Sequence, residues 1–189
     1  MGGGFGPFPP IMIKDIKPTL LDFAILGLIQ DQPLSGYGIR KVFEETAMGN
    51  YSNSPGTIYP AIKRLEKFEL VQKVTQKDTA KTGFQITKKG LLQLKQWLIQ
   101  PIEKKEVEKK TDELLLRFAF METLVNKKQK IIFLHSFRDL LKTYIQDLQA
   151  YYDSESDQMP LHARLAFQHG IESNKTTLKW CKKTIKALT

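Results

Sequence analysis

The sequence predicts a mainly α protein in two parts: an N-terminal helical unit with one small β-hairpin, and a C-terminal unit built only of helices. Three observations predict it. Between Thr19 and Gln100, four segments carry apolar residues at helical spacing. Two short stretches rich in β-branched residues, "LVQKVTQ" and "GFQIT", fall between the third and fourth of them. From Thr111 to Thr189 the pattern stays helical, with no strand signal. The 189 residues can bury a real core, in one domain or two small ones. The formal net charge of +9 favours an acidic partner, nucleic acid before an anionic membrane. Cys181 is the single cysteine, so no intrachain disulfide forms and a reducing, cytoplasmic setting follows. The longest clean apolar run, "FAILGLI", is far too short to span a bilayer.

The elements follow in order. Residues 1–17, opening "MGGGFGPFPP", lack the basic n-region and long apolar core of a secretory signal. Gly6 replaces the Ser or Thr of a myristoylation motif, and the Gly and Pro content reads as a flexible arm. "TLLDFAILGLIQ" is a first helix with Thr19 as its cap; Gly27 lies mid-helix, where close approach of another helix explains it. "QPLSGYGIRKVFEETAMG" gives a second helix, capped by Ser35 and stopped near Gly49. "NSPGTIYPAIKRLEKFELV" gives the third: Ser54 caps it, Pro55 takes the first position, and Ile58, Ile62 and Leu65 form its apolar stripe. The two β-rich stretches, Leu70–Gln76 and Gly83–Thr87, form a hairpin around the polar loop "KDTAKT". "TKKGLLQLKQWLI" gives a fourth helix ending before Pro101.

Charge concentrates in the same region. From Lys63 to Lys95 nine basic residues face three acidic ones, which accounts for two thirds of the chain's excess. Three helices followed by a basic hairpin is the arrangement of a winged helix-turn-helix, spanning residues 18–100. The third helix would enter the major groove of DNA and the hairpin would lie along the backbone or minor groove. On the third helix, Thr57, Tyr59, Lys63, Arg64 and Lys67 lie away from the apolar stripe. Arg64 has the fork to read a guanine, Lys63 and Lys67 suit phosphates, and the first-turn N–H groups near Gly56 and Thr57 form an anion site. Lys77 and Lys81, in the hairpin loop, suit sequence-independent phosphate contacts. Two competing expectations are that Tyr59 packs on a neighbouring helix and that Arg64 pairs with Glu66 or Glu69.

One residue breaks a local rule. Pro60 lies inside the third helix, where it removes a hydrogen bond to the Gly56 carbonyl at a cost of ~3 kcal/mol. Violations of this kind collect at functional surfaces. Pro60 is expected to loosen the first turn and set the angle at which Thr57 and Tyr59 meet DNA.

"SPGTIYPAIKRLE", with "AILGLI", "LSGYGI" and "QITKKGLLQLKQWL", resembles the signature of the PadR family of transcriptional regulators over residues 20–98. The resemblance implies that Pro55, Gly56, Tyr59 and Pro60 form a set at the front of the recognition helix. Ser35 and Tyr37 of "LSGYGI" join them and Ser54 as candidate DNA contacts. The family places Gly where this chain has Glu69. A non-Gly residue there must accept a left-handed turn or end the helix differently, and so affects the approach angle of the wing.

Residues 101–110 read as a linker and 111–189 as a helical dimerisation domain. "TDELLLRFAFMETL" starts at a Thr111 or Asp112 cap, and "KKQKIIFLHSFRDLLKTYIQDLQAYY" carries a long apolar stripe. After Pro160, residues Phe167, Ile171, Asn174, Leu178, Cys181, Ile185 and Leu188 alternate steps of four and three, as in a coiled-coil seam. Such a stripe suits either intramolecular core or a dimer. The resemblance favours the homodimer, and a dimer suits a palindromic operator. It also implies release by a signal, in some members a phenolic acid. Phe118, Phe120, Phe133, Phe137 and Tyr144 could hold an aromatic ring, with Arg117, His135 and Arg138 near its carboxylate, unless these aromatics only fill the core.

Enzymatic chemistry finds little in the sequence. The three histidines, His135, His162 and His169, have no carboxylate or cysteine cluster at ligand spacing, so neither metal nor cofactor is expected. There is no P-loop and no dinucleotide fingerprint. The competing class is a helical interaction module whose basic wing does not bind DNA; RNA binding lacks the aromatic strands it would need. The sequence thus reads as a dimeric repressor that a small molecule releases from double-stranded DNA.

Overall fold

The structure, a computed structural model, describes residues 17–46, 48, 54–75 and 82–189. Helix α1 (Leu20–Leu28) opens with a reciprocal capping box. The Thr19 side chain accepts from the Asp22 N–H, and the Asp22 carboxylate accepts from the Thr19 N–H at 2.8 Å. Ser35 caps α2 (Gly36–Glu45) by accepting from the Gly38 N–H at 3.0 Å. The second helix was expected to run on to Gly49; it ends at Glu45 with Thr46 extended, and Gly49 is outside the described residues.

Helix α3 (Pro55–Lys67) leads into β1 (Val71–Thr75), which pairs antiparallel with β2 (Thr82–Ile86), Val71 opposite Ile86 and Thr75 opposite Thr82. Leu34 adds a third, single-residue rung, exchanging two backbone hydrogen bonds with Phe84 at 2.8 and 3.2 Å. That rung ties the α1–α2 connection to the wing. Helix α4 (Lys88–Leu98) is capped by Thr87, whose hydroxyl also donates to the Glu69 carbonyl at 2.7 Å. Gly90 lets α4 approach the wing, since a Cβ there would lie 2.2 Å from the Leu70 carbonyl oxygen.

The stretch 101–110, expected to be a linker, contains helix α5 (Lys104–Lys109). Its Glu106 accepts from the Glu103 N–H at 2.8 Å, and its buried Val107 is the single apolar anchor. One apolar residue in six gives no periodicity to read. The next segment was expected to form one helix from a Thr111 or Asp112 cap. It forms α6 (Thr111–Ala119) and α7 (Met121–Leu124), broken at Phe120. Lys110 occupies the N-cap position, and the Thr111 hydroxyl donates back to the Val107 carbonyl at 3.0 Å. Phe120 lies flat over Gly27 of α1, where a Cβ would meet its ring at 2.4 Å. Gly27 therefore serves the close approach expected of it, the visitor being a ring from the α6–α7 break.

Asn126 caps α8 (Lys127–Glu155), and a 3-10 turn at Ser156–Gln158 leads to α9 (Leu161–Leu188), which returns along α8. One connected core runs from Phe23 of α1 through Ile58, Ile62 and Leu65 of α3 and Leu134, Phe137 and Leu141 of α8 to Cys181 of α9. The two halves thus share an interior. Among the described residues no helix is long and apolar enough to cross a membrane.

Candidate nucleic-acid interface

Helix α3 has one face fixed by burial and one left to solvent. Ile58, Ala61, Ile62 and Leu65 are buried, which turns Gly56, Thr57, Tyr59, Pro60, Lys63 and Lys67 outward. Ser54 accepts from the Gly56 N–H at 3.2 Å and its carbonyl accepts from the Thr57 and Ile58 N–H groups. Pro60 does not interrupt the helix, which runs unbroken from Pro55 to Lys67 with Pro60 exposed on the outer face. Because proline has no N–H, the Gly56 carbonyl lacks its usual helical donor at the same exposed end. Among the described residues, a Gly56 Cβ would meet the Ser54 hydroxyl, at 3.3 Å.

The exit of α3 is a Schellman closure: the Leu70 N–H bonds the Leu65 carbonyl and the Glu69 N–H bonds the Glu66 carbonyl, both at 2.9 Å. Glu69 takes the left-handed position at φ 60°, so this chain accepts the turn that glycine would adopt without strain. Leu65 and Leu70 are both buried, the apolar contact that accompanies this motif.

Around α3 the outward groups form one surface. Lys63 and Lys67 are exposed and have no carboxylate partner among the described residues, whereas Lys73 pairs with Glu66 at 3.3 Å and Lys89 with Glu69 at 3.4 Å. Tyr59 is 41% exposed while its ring lies against Gly36, 2.8 Å from where a Cβ would be, so it both packs on α2 and faces solvent. Tyr37 is exposed at the start of α2 with the Arg40 guanidinium over its ring at 5.2 Å. Arg40 was not among the residues singled out from the sequence, because nothing in the spacing marks a cation stacked on Tyr37. Ser35 is occupied as the α2 cap. Lys77 and Lys81 lie outside the described residues.

Arg64 corrects an expectation. Its guanidinium is not presented to solvent as a free fork. It holds the buried Asp22 carboxylate of α1 through two bonds, at 2.6 and 3.2 Å, with Thr19 at 3.4 Å. It pairs with neither Glu66 nor Glu69. Asp22 was not singled out from the sequence, where nothing local marks it as an ion-pair partner 42 residues from Arg64. Arg64 therefore fixes α3 against α1, and its guanidinium is engaged there.

The aromatic set expected to bind an effector packs largely on itself, with Phe133 also lining a cavity. Phe137 is core; Phe118 and Phe133 stack on one another at 6.4 Å, and Trp180 meets Phe118 edge-on at 5.4 Å. Arg138 is held by Asp139 at 2.7 and 2.9 Å, beside half-buried His135. Arg117 is 2% exposed, and its nitrogens bond the Leu98 and Gln100 carbonyls at the end of α4 and Glu106 of α5. Its guanidinium lies over the Phe133 ring at 5.1 Å, and its Nε has no hydrogen-bond partner among the described residues. Burial lowers its pKa, and Glu106 and then Glu113 oppose that shift. It is a cation already spent on joining α4, α5 and α8. A different cavity of about 320 Å³ opens between the α4–α5 connection and α8.

The residues expected to form a dimer seam on α9 pack within the chain. Ile171 and Cys181 are buried, Leu178, Ile185 and Leu188 pack on the same chain's core, and Phe167 meets Tyr151 and Tyr152 of α8 at 5.6 and 5.9 Å. Asn174 donates to the Gly170 carbonyl of its own helix at 2.8 Å. A regular apolar stripe reports a partner helix without saying whose it is, and here it is α8. Burial pushes the Cys181 thiol up to about 11. Among the described residues no three His, Cys, Asp or Glu side chains gather as metal ligands.

Residues 25–96 match the description "Transcriptional regulator PadR-like family", and residues 111–189 match "Virulence activator alpha C-term". The negative transcriptional regulator PadR of Bacillus subtilis (strain 168) is 32% identical over 136 residues, spanning 69% of this chain and 68% of that protein. The transcriptional regulator YqjI of Escherichia coli (strain K12) is 30% identical over 87 residues, 46% of this chain and 40% of that protein. Two solved structures of Bacillus subtilis PadR align with most of this chain. The complex with p-coumaric acid is 25% identical with a TM-score of 0.41, covering 90% of this chain and 99% of that one. The complex with operator DNA is 23% identical with a TM-score of 0.40, covering 90% and 100%. The identity to the Bacillus regulator over two thirds of its length, together with a recognition helix and wing in the matching segment, places the chain: it belongs to the PadR-like family of DNA-binding transcriptional regulators.

Proposed function

We propose that this chain is a dimeric repressor that grips a palindromic operator through α3 and the wing and is released by a small molecule. The observation that carries the DNA contact is the outward face of α3. Two lysines unpaired among the described residues, a threonine and a half-exposed tyrosine share it with a helix N-terminus that Ser54 caps. The sense of regulation follows the Bacillus subtilis relative, a negative regulator. With Arg64 held by Asp22, base reading falls to Thr57 and Tyr59, and Lys63 and Lys67 take phosphates.

The dimer needs another surface than the α9 seam. Tyr151, Leu161 and Leu165 are each more than half exposed where α8 and α9 turn, and they supply an apolar face for a second copy. Selection of bound duplexes from random DNA tests the DNA reading, and recovery of a palindrome tests the dimer at the same time. Light scattering on Leu161→Asp/Leu165→Asp is expected to give a monomer with weakened operator binding. Full-length protein that is monomeric at micromolar concentration would remove the dimer. For the signal, the phenolic acid implied by the resemblance is the first class to titrate, with and without operator. An inducer that weakens DNA binding must itself be weakened by DNA to the same degree.

A further inference from the structure

The cavity beside α8 has a chemistry of its own. Its walls are Ile99, Pro101 and Ile102 of the α4–α5 connection, Met121 of α7, and Ile132 and Phe133 of α8. Its polar groups are Gln100, Gln129 and Ser136, amides and a hydroxyl that can donate or accept but carry no charge. Among the described residues, no Lys, Arg, His, Asp or Glu lines it. Two large aliphatic side chains of the lining remain in water, Ile99 at 43% and Ile132 at 55% exposure. At about 320 Å³ the space is of small-molecule size.

We propose that this cavity binds a neutral, flat, largely apolar small molecule and discriminates against acids. The apolar walls and the two water-exposed isoleucines would be covered by such a ligand. An anion would have to shed its hydration with no cation to meet it. Arg117 does not serve as that cation. It lies behind Phe133, and its nitrogens are bound to the Leu98 and Gln100 carbonyls and to Glu106. The place matters as much as the chemistry. The ligand would touch the end of α4, which belongs to the winged-helix unit, and α8, which belongs to the C-terminal helices. It would sit at the joint that Arg117 holds closed.

A matched pair of fluorescent probes tests this on the full chain. Phenylnaphthylamine is neutral; anilinonaphthalene sulfonate has the same fused rings and anilino group with one added anion. The neutral probe is expected to bind once per chain, at least about tenfold more tightly than the sulfonate, a difference of ~1.4 kcal/mol. Ile132→Asp places an anion at the cavity mouth on an exposed site, so folding should survive, as circular dichroism would confirm. It is expected to weaken the neutral probe by about tenfold or more. Leu92→Ser, at an exposed apolar residue of α4 away from the cavity, is expected to leave it unchanged. Absence of binding by the neutral probe, equal binding of both probes, or unchanged binding in folded Ile132→Asp would each overturn the proposal. No DNA is present, so the outcome is independent of whether the chain binds an operator.

Discussion

Removing Arg64 should cost stability rather than sequence preference. The Asp22 carboxylate is 2% exposed and receives two bonds from the guanidinium, at 2.6 and 3.2 Å. Arg64→Ala leaves it with the N–H and hydroxyl of Thr19, at 2.8 and 3.0 Å. Hydrogen bonds to charged groups contribute ~1.5–3 kcal/mol, and breaking a fully buried pair costs ~3–5 kcal/mol. The Arg64 side chain is 38% exposed, so water screens part of the attraction, and Thr19 still serves the carboxylate. The expected loss is therefore about 2 kcal/mol, read as a lower urea midpoint at unchanged slope. Asp22→Ala removes both the ion pair and the capping box. In that background a further Arg64→Ala should cost almost nothing, because the partner is already gone. DNA binding by folded Arg64→Ala should weaken alike on the selected duplex and on variants changed one base pair at a time. An unchanged urea midpoint, with preference lost at a single base pair, would refute the clamp and make Arg64 a base reader.

Further outcomes follow from other close contacts. Ala has a helix propensity ~1 kcal/mol better than Gly, but Gly27→Ala would drive a methyl into the Phe120 ring. A net destabilisation of ~1–2 kcal/mol is expected, reversing to a gain when Phe120→Ala is already present, by urea unfolding. Glu69→Gly relieves a left-handed non-glycine residue at ~1–2 kcal/mol, less the greater freedom of glycine when unfolded, so a gain of ~0.5–1 kcal/mol is expected. The Lys89 pair lost with it is exposed and offsets little. The Cys181 thiol, raised from 9.0 to about 11 by burial, should resist alkylation at pH 8 until the chain unfolds. Because the folded state keeps that proton longer than the unfolded one, the thiol's contribution should lower stability as pH rises from 9 towards 11.

Local patterns were readable in the sequence where one element determines its own form. The caps Thr19, Ser35 and Ser54, the stripe of α3 and the alternation of the hairpin each state a local preference that the fold keeps. What failed to show was who packs against whom. The α9 stripe from Phe167 to Leu188 has the same spacing whether it meets α8 or a second copy. Arg64 has the same outward-looking position whether it meets guanine or an acid on another helix, and only the fold brings Asp22 to it. The α5 helix, with Val107 as its sole apolar residue, depends on tertiary burial and leaves no periodic trace. The cavity beside α8 draws its walls from three separate segments and has no sequence signature at all.

The central claim is that the outward face of α3 meets duplex DNA, and its salt dependence tests this most directly. Affinity for the selected duplex should fall steeply with salt, because lysines on phosphates release counterions. Lys63→Ala and Lys67→Ala, exposed and unpaired among the described residues, should each flatten the slope by about one per copy and weaken every duplex alike. Tight binding with a slope that neither substitution changes would contradict this placement of the DNA, as would failure to select any duplex.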